Sequence, residues 1–175
     1  KHTFISTGMS NMRDISYAVK LFRKYKCPFT LIHTHSSYPM PEEEANLRLI
    51  PMLKKKFSCN VGYSGHETGA TNVSVPAVMM GATVIERHVT ADRTFYGHDQ
   101  AASLESEGIR RLVRDIRSLE GIIGDGKKKI WDSEKENIPC FVVVLTYNIR
   151  DKLSYKIIPH FVSTFTLAFV KNKYI

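Results

Sequence analysis

Two histidines, His66 and His88, each stand at the end of a short run of β-forming residues, Val61–Ser64 and Thr83–Arg87. An imidazole offers a neutral nitrogen lone pair near pH 7, and two of them side by side suggest a divalent metal. The hydroxyl of Ser64 and the carboxylates of Glu86 and Asp99 fall within the same stretch, Val61–Glu105. A competing reading is purely structural, because a histidine at a strand end often only bonds backbone or fills a core.

For the two imidazoles to meet, the runs that carry them must be neighbouring parallel strands whose C-terminal ends open on one face. Such units can be counted along the chain. Thr3–Ser6 reads as a strand, followed by a helix over about Met12–Tyr25 with Ser10 as its cap and Ile15, Val19 and Phe22 at helical spacing. Phe29–His33, Asn60–Ser64 and Thr83–Arg87 read as three more strands. Further helices are expected from near Pro51, over about Thr71–Met80 with a bend at Pro76, and over about Leu104–Ile123. Ser103, Ser106 and Glu107 mark the start of the last helix, and Gly124-Asp125-Gly126 its stop. Four strand–helix alternations argue for a parallel α/β sheet.

The chain has 175 residues, 43% of them hydrophobic. That suffices for one domain with a real core, but a whole (β/α)8 barrel takes about 250 residues. The formal charge is +8, yet the basic residues are scattered or sit in short groups such as Lys54-Lys55-Lys56 and Lys127-Lys128-Lys129. Solvated helix faces account for them, no nucleic-acid motif is present, and a positive field also suits phosphorylated substrates. Cys27, Cys59 and Cys140 fit no zinc pattern, so unpaired thiols in a reducing compartment are expected. No run reaches the roughly 18 apolar residues of a membrane span, and KHTFISTG lacks the build of a signal peptide. The expectation is a cytoplasmic protein with neither nucleic-acid nor membrane partner.

Five segments occur in a fixed order: ISTGMSNM (Ile5–Met12), HSSYPMPEEEANLRLIP (His35–Pro51), GYSGHETG, GATVIERHVT and GHDQAASLE. Together they resemble the sialic acid synthase family, closest to its animal 9-phosphate type, with the likeness running to about Glu136. The resemblance implies the C-terminal half, strands five to eight, of a TIM-type (β/α)8 barrel. It also implies a transferase that condenses phosphoenolpyruvate with N-acetylmannosamine or its 6-phosphate, giving N-acetylneuraminate or its 9-phosphate plus phosphate. A homodimer at full length is implied as well.

By the same resemblance His66 and His88 are metal ligands, for Mn²⁺ or Mg²⁺, since two imidazoles leave most of an octahedron to water and substrate oxygens. Glu86 and Asp99 become catalytic candidates, with Asp99 also on the sugar. Ser6, on phosphoenolpyruvate, and Ser36, Tyr38 and Ser64 become substrate contacts. Glu86 and His88 are expected on opposite faces unless the strand ends or bulges, so Glu86 either enters the barrel interior or pairs with a cation among the helices. The hydroxyls have bland alternatives as caps, and Tyr38 as a packed ring. Two positions depart from the family pattern: Thr34-His35 replaces Cys-Thr, and GHDQ replaces G-Pro/Ser-Asp-His.

Residues 1–136 thus read as a partial synthase barrel domain. Residues 137–175 do not match the antifreeze-like C-terminal domain that the family carries, and only Phe141–Leu145 looks like a strand. The other reading is a catalytically inactive half-barrel from a truncated or mispredicted gene product, which fails to fold or pairs with another half.

Overall fold

Four strands, β1 (Thr3–Ser6), β2 (Phe29–Thr34), β3 (Val61–Gly65) and β4 (Ile85–Arg87), pair in parallel in the order in which they occur. The strand order never reverses, as in the winding of a barrel and unlike a doubly wound sheet. The structure, a computed structural model, describes residues 1–135 and the backbone of two further strands, Val143–Tyr147 and Phe165–Phe169. Helices α1 (Met12–Lys24), α2 (Leu49–Phe57), α3 (Ser74–Met79) and α4 (Ser106–Ile123) follow the four strands in turn.

Strand alternation sorts the side chains onto two faces. The register pairs Ile32 with Gly62, Thr34 with Ser64 and Ser64 with Glu86, which puts these residues on one face. Leu31, His33, Val61, Tyr63 and Ile85 fall on the other. That second face carries the core, where Leu31, Val61 and Tyr63 pack with Ile15 and Val19 of α1, Ile50, Leu53 and Phe57 of α2, and Ala77 of α3. The helices thus cover one side of the sheet.

His33 lies on the helix-covered side, buried, with Nε2 donating to the Ala45 carbonyl at 2.8 Å. Burial holds its pKa below the usual 6.5, against the raising effect of that hydrogen bond and with a smaller push from His35. The unfolded chain therefore takes up a proton that the folded chain refuses, so this contribution to stability is complete above about pH 6.5 and is lost as the pH falls below it. Chemical denaturation between pH 7.5 and 5.5 should show stability declining, with a shallower decline in His33→Gln.

Helix starts differ from the expected ones for local reasons. Asn11, not Ser10, caps α1: its side chain accepts from the Arg13 and Asp14 amides, and the Asp14 carboxylate accepts from the Asn11 amide at 3.0 Å. Ser10 instead donates to the Gly8 carbonyl. Asn11→Ala should cost about 1 kcal/mol in a denaturant titration, and Ser10→Ala much less. Helix α4 starts at Ser106 rather than Leu104, because Leu104 is held extended against the segment after β4, its amide donating to the His88 carbonyl at 2.8 Å. Ser103 Oγ is committed to the Asp99 carbonyl and caps nothing. Helix α3 is shorter than expected, with Pro76 in its first turn, where the missing amide is not needed.

The chain divides into two compact units, residues 1–124 and 125–175. The second holds a short helix α5 (Asp132–Lys135) and a parallel pair, β5 (Val143–Tyr147) with β6 (Phe165–Phe169). The expected strand Phe141–Leu145 is matched by β5 from Val143 onward, and Phe141 lies outside the described residues, as does Cys140. Cys27 and Cys59 are free thiols. Among the described residues no helix is long and apolar enough to cross a membrane.

Candidate functional site

The polar cluster assembles at the C-terminal ends of β3 and β4. His66 lies just beyond β3 and His88 just beyond β4, with ring centroids 5.2 Å apart. His66 Nδ1 is 2.6 Å from the His35 carbonyl oxygen, which can only accept, so Nδ1 carries the proton and Nε2 presents a lone pair. Burial keeps the imidazole's pKa below its usual value, with that backbone bond opposing and His88 adding a smaller depression. Ser64 Oγ spends its one proton on Glu86 Oε1 at 2.9 Å, leaving its own lone pairs 3.4 Å from His66 Nε2. Two lone pairs facing each other across that gap form a donor set that fits a cation, and the outer carbonyl that sets the tautomer is usual behind a histidine ligand. Among the described residues no three His, Cys, Asp or Glu side chains are grouped to hold a metal by themselves. An ion on His66 and His88 would take its other ligands from water and substrate.

Tyr38 closes this corner, its ring 4.1 Å from that of His66 and 5.6 Å from that of His88. The Met40 amide donates to the His66 carbonyl at 2.9 Å, tying the segment after β2 to the loop after β3. Asp99 is on the exposed loop before α4, its Oδ2 3.7 Å from His88 Nδ1. Ser64, His66, Glu86, His88, Tyr38 and Asp99 thus come together.

Ser6 and Ser36 gather separately, at the ends of β1 and β2. Ser6 is exposed and accepts from the Gly8 amide at 3.4 Å. A Cβ at Gly8 would meet Ser36 Oγ, so a side chain there would have to displace the serine hydroxyl. A cleft of about 720 Å³ opens beside them, lined by Thr7, Asn11, His33, His35, Ser36 and Glu44 among others. The two family departures are also visible. His35 pairs through Nε2 with Glu44 at 2.9 Å, and Gln100 buries Oε1 without a hydrogen-bond partner.

One expectation changes on the structure. Glu86 and His88 do not diverge: they are two residues apart, one full strand period, and both reach the Ser64 corner. The residue that turns to the helices is Arg87 between them, which forms an ion pair with Glu67 at 2.8 Å. That pair was not legible from spacing; the only hint is that an arginine within a short strand needs a carboxylate somewhere, and nothing in the sequence says which.

Known proteins share this arrangement of strands and sequence. The chain is 40% identical over 141 residues to the N,N'-diacetyllegionaminic acid synthase of Campylobacter jejuni, covering 79% of this chain and 42% of that protein. It is 40% identical over 131 residues to the N-acetylneuraminate-9-phosphate synthase of Mus musculus, covering 74% of this chain and 36% of that protein. Bacterial and animal enzymes match at equal identity, so identity does not single out the animal type. Among solved structures it resembles the N-acetylneuraminic acid (sialic acid) synthetase of Leptospira borgpetersenii in complex with citrate, with TM-score 0.66 and 41% identity, over 77% of this chain and 47% of that one. The chain therefore spans less than half the length of these relatives. Its four parallel strands form a half-barrel of that α/β type. Residues 1–128 match the NeuB family, and with the fold and these relatives in agreement, the chain belongs to that family of sugar acid synthases.

Proposed function

We propose that this chain carries the metal-binding half of a synthase that joins C3 of phosphoenolpyruvate to the aldehyde carbon of open-chain N-acetylmannosamine or its 6-phosphate. Water enters at C2 and phosphate leaves by C–O cleavage, so one sugar, one phosphoenolpyruvate and one water give N-acetylneuraminate, or its 9-phosphate, and inorganic phosphate. The observation that carries the reading is the His66 Nε2 lone pair facing Ser64 Oγ, with the His88 ring 5.2 Å from that of His66. Mn²⁺ or Mg²⁺ bound there would supply Lewis-acid polarisation of the aldehyde.

The chain's own residues have separate tasks in this scheme. His66, held by the His35 carbonyl, keeps an unprotonated nitrogen toward the ion, and Tyr38 shields the imidazoles from water on one side. Glu86, which accepts from Ser64, would take or return a proton at the sugar, and Asp99, beside His88, would orient its hydroxyls. Ser6 and Ser36 would donate to the phosphate or carboxylate of phosphoenolpyruvate. The one buried cation near the corner among the described residues, Arg87, is committed to Glu67, so countercharge for the substrate must come from elsewhere in the complete protein. In this reading the four strands are strands five to eight of a (β/α)8 barrel. The complete protein is a cytoplasmic homodimer.

Phosphate release from phosphoenolpyruvate, followed with each sugar and with or without Mn²⁺, tests the proposal. Release that needs both metal and sugar supports it, and the preferred sugar identifies the product. A metal-independent reaction overturns the assigned chemistry. A second reading is favoured by the open sheet, in which β1 and β4 each have an unpaired edge among the described strands and Phe4 is 55% exposed. A non-catalytic half-barrel would show no turnover, and would bind hydrophobic dyes or associate through those edges.

A further inference from the structure

We propose that Arg87 and Glu67 are positioning residues for the two histidines. The Arg87 guanidinium ties together the strand that carries Glu86 and His88, the loop that carries His66, and the turn that follows Asp99. The inference rests on the metal-site reading above. Arg87 sits between Glu86 and His88, and Glu67 directly follows His66. Their side chains are 4% and 0% exposed. Arg87 Nη1 donates to Glu67 Oε1 at 2.8 Å and to the Gly69 carbonyl at 2.9 Å, while Nη2 donates to the Glu67 carbonyl at 2.6 Å. Nη2 also reaches the Ala102 carbonyl at 3.4 Å, in the turn after Asp99. The Glu67 carboxylate is completed by the Tyr63 hydroxyl and by Ser74 Oγ, each at 3.0 Å.

Stability alone does not account for this arrangement. Well-packed apolar residues often serve as well as a buried ion pair, whereas a planar guanidinium fork fixes direction at several acceptors at once. Direction is what the site requires. Because strand side chains alternate, holding Arg87 to the helix side sets the roll of β4 and so aims Glu86 and His88 at the opposite face. Holding both the carboxylate and the carbonyl of Glu67 fixes the loop one residue beyond His66. One group therefore ties both halves of the histidine pair from behind.

The test uses the full chain and two variants. Glu67→Leu with Arg87→Met removes both charges at similar volume, and Arg87→Lys keeps the charge but loses the fork. Thermal unfolding reports folding. Long-range ¹H–¹⁵N NMR spectra of the histidine rings report which His66 nitrogen holds the proton, and electron paramagnetic resonance of free Mn²⁺ reports affinity. Folded variants should lose the single Nδ1–H form of His66 and bind Mn²⁺ about 10–100-fold more weakly. Unchanged His66 signals and affinity in a folded variant overturn the proposal. If the double variant unfolds, Arg87→Lys decides; if both unfold, the pair serves stability and the proposal falls. If the unaltered chain binds no Mn²⁺, the metal reading fails, while the ring spectra still test the tie.

Discussion

Replacing both His66 and His88 by alanine is expected to lower the affinity of the chain for Mn²⁺ by more than about a hundredfold. The bound is set by the observation that losing even an outer partner of a metal-ligating histidine costs about 10–100-fold. These two imidazoles are the ring nitrogens that meet at the corner, and among the described residues no three ligating side chains group to replace them. Each single alanine should leave weak binding, because Ser64 and Glu86 remain at 2.9 Å from each other beside the surviving ring. On the proposed function, phosphate release from phosphoenolpyruvate by the complete protein should disappear in step with affinity. Calorimetric titration with Mn²⁺ measures the effect, and binding that survives the double substitution refutes the metal assignment. Tyr38→Ala is a useful contrast: it removes a ring 4.1 Å from His66 but no ligand, so affinity should change far less.

Arg87→Ala alone is expected to destabilise the 1–124 unit by about 3–5 kcal/mol, the usual cost of breaking one side of a buried ion pair. Glu67 is 0% exposed and would keep a carboxylate with only the Tyr63 and Ser74 hydroxyls to satisfy it. That loss is a large part of the roughly 5–15 kcal/mol by which small domains are stable. Urea denaturation of the full chain measures it. Arg110→Ala is the control, since Arg110 is 76% exposed in its contact with Glu107 and should shift the midpoint little. Equal shifts in the two variants would refute the buried environment of the pair. The double change to leucine and methionine should cost much less than Arg87→Ala alone, because no charge is then left without a partner.

Local and periodic features are legible in the order of residues. Hydrophobic period and Gly/Pro punctuation place four strands and four helices close to where they form, and the parallel alternation follows from their order. Residues just past adjacent parallel strands are expected to meet, and His66 and His88 do so with 5.2 Å between ring centroids. The finer boundaries depended on competition between neighbours. Asn11 outcompetes Ser10 as a cap because Asp14 completes its capping box, and Leu104 leaves α4 because the backbone at His88 claims its amide.

What the order of residues determined on its own was the family, the parallel α/β half-barrel, and the types of side chain at the site, because these rest on short-range periodicity and on contiguous motifs. Tertiary structure alone decided which groups hold them. The carbonyl of His35 sets the tautomer of His66 across a separation of 31 residues, Ser64 gives its proton to Glu86 across 22, and Arg87 finds Glu67 across 20. Such partners are chosen by strand register and by the burial of charge, and neither quantity exists until the strands are laid side by side.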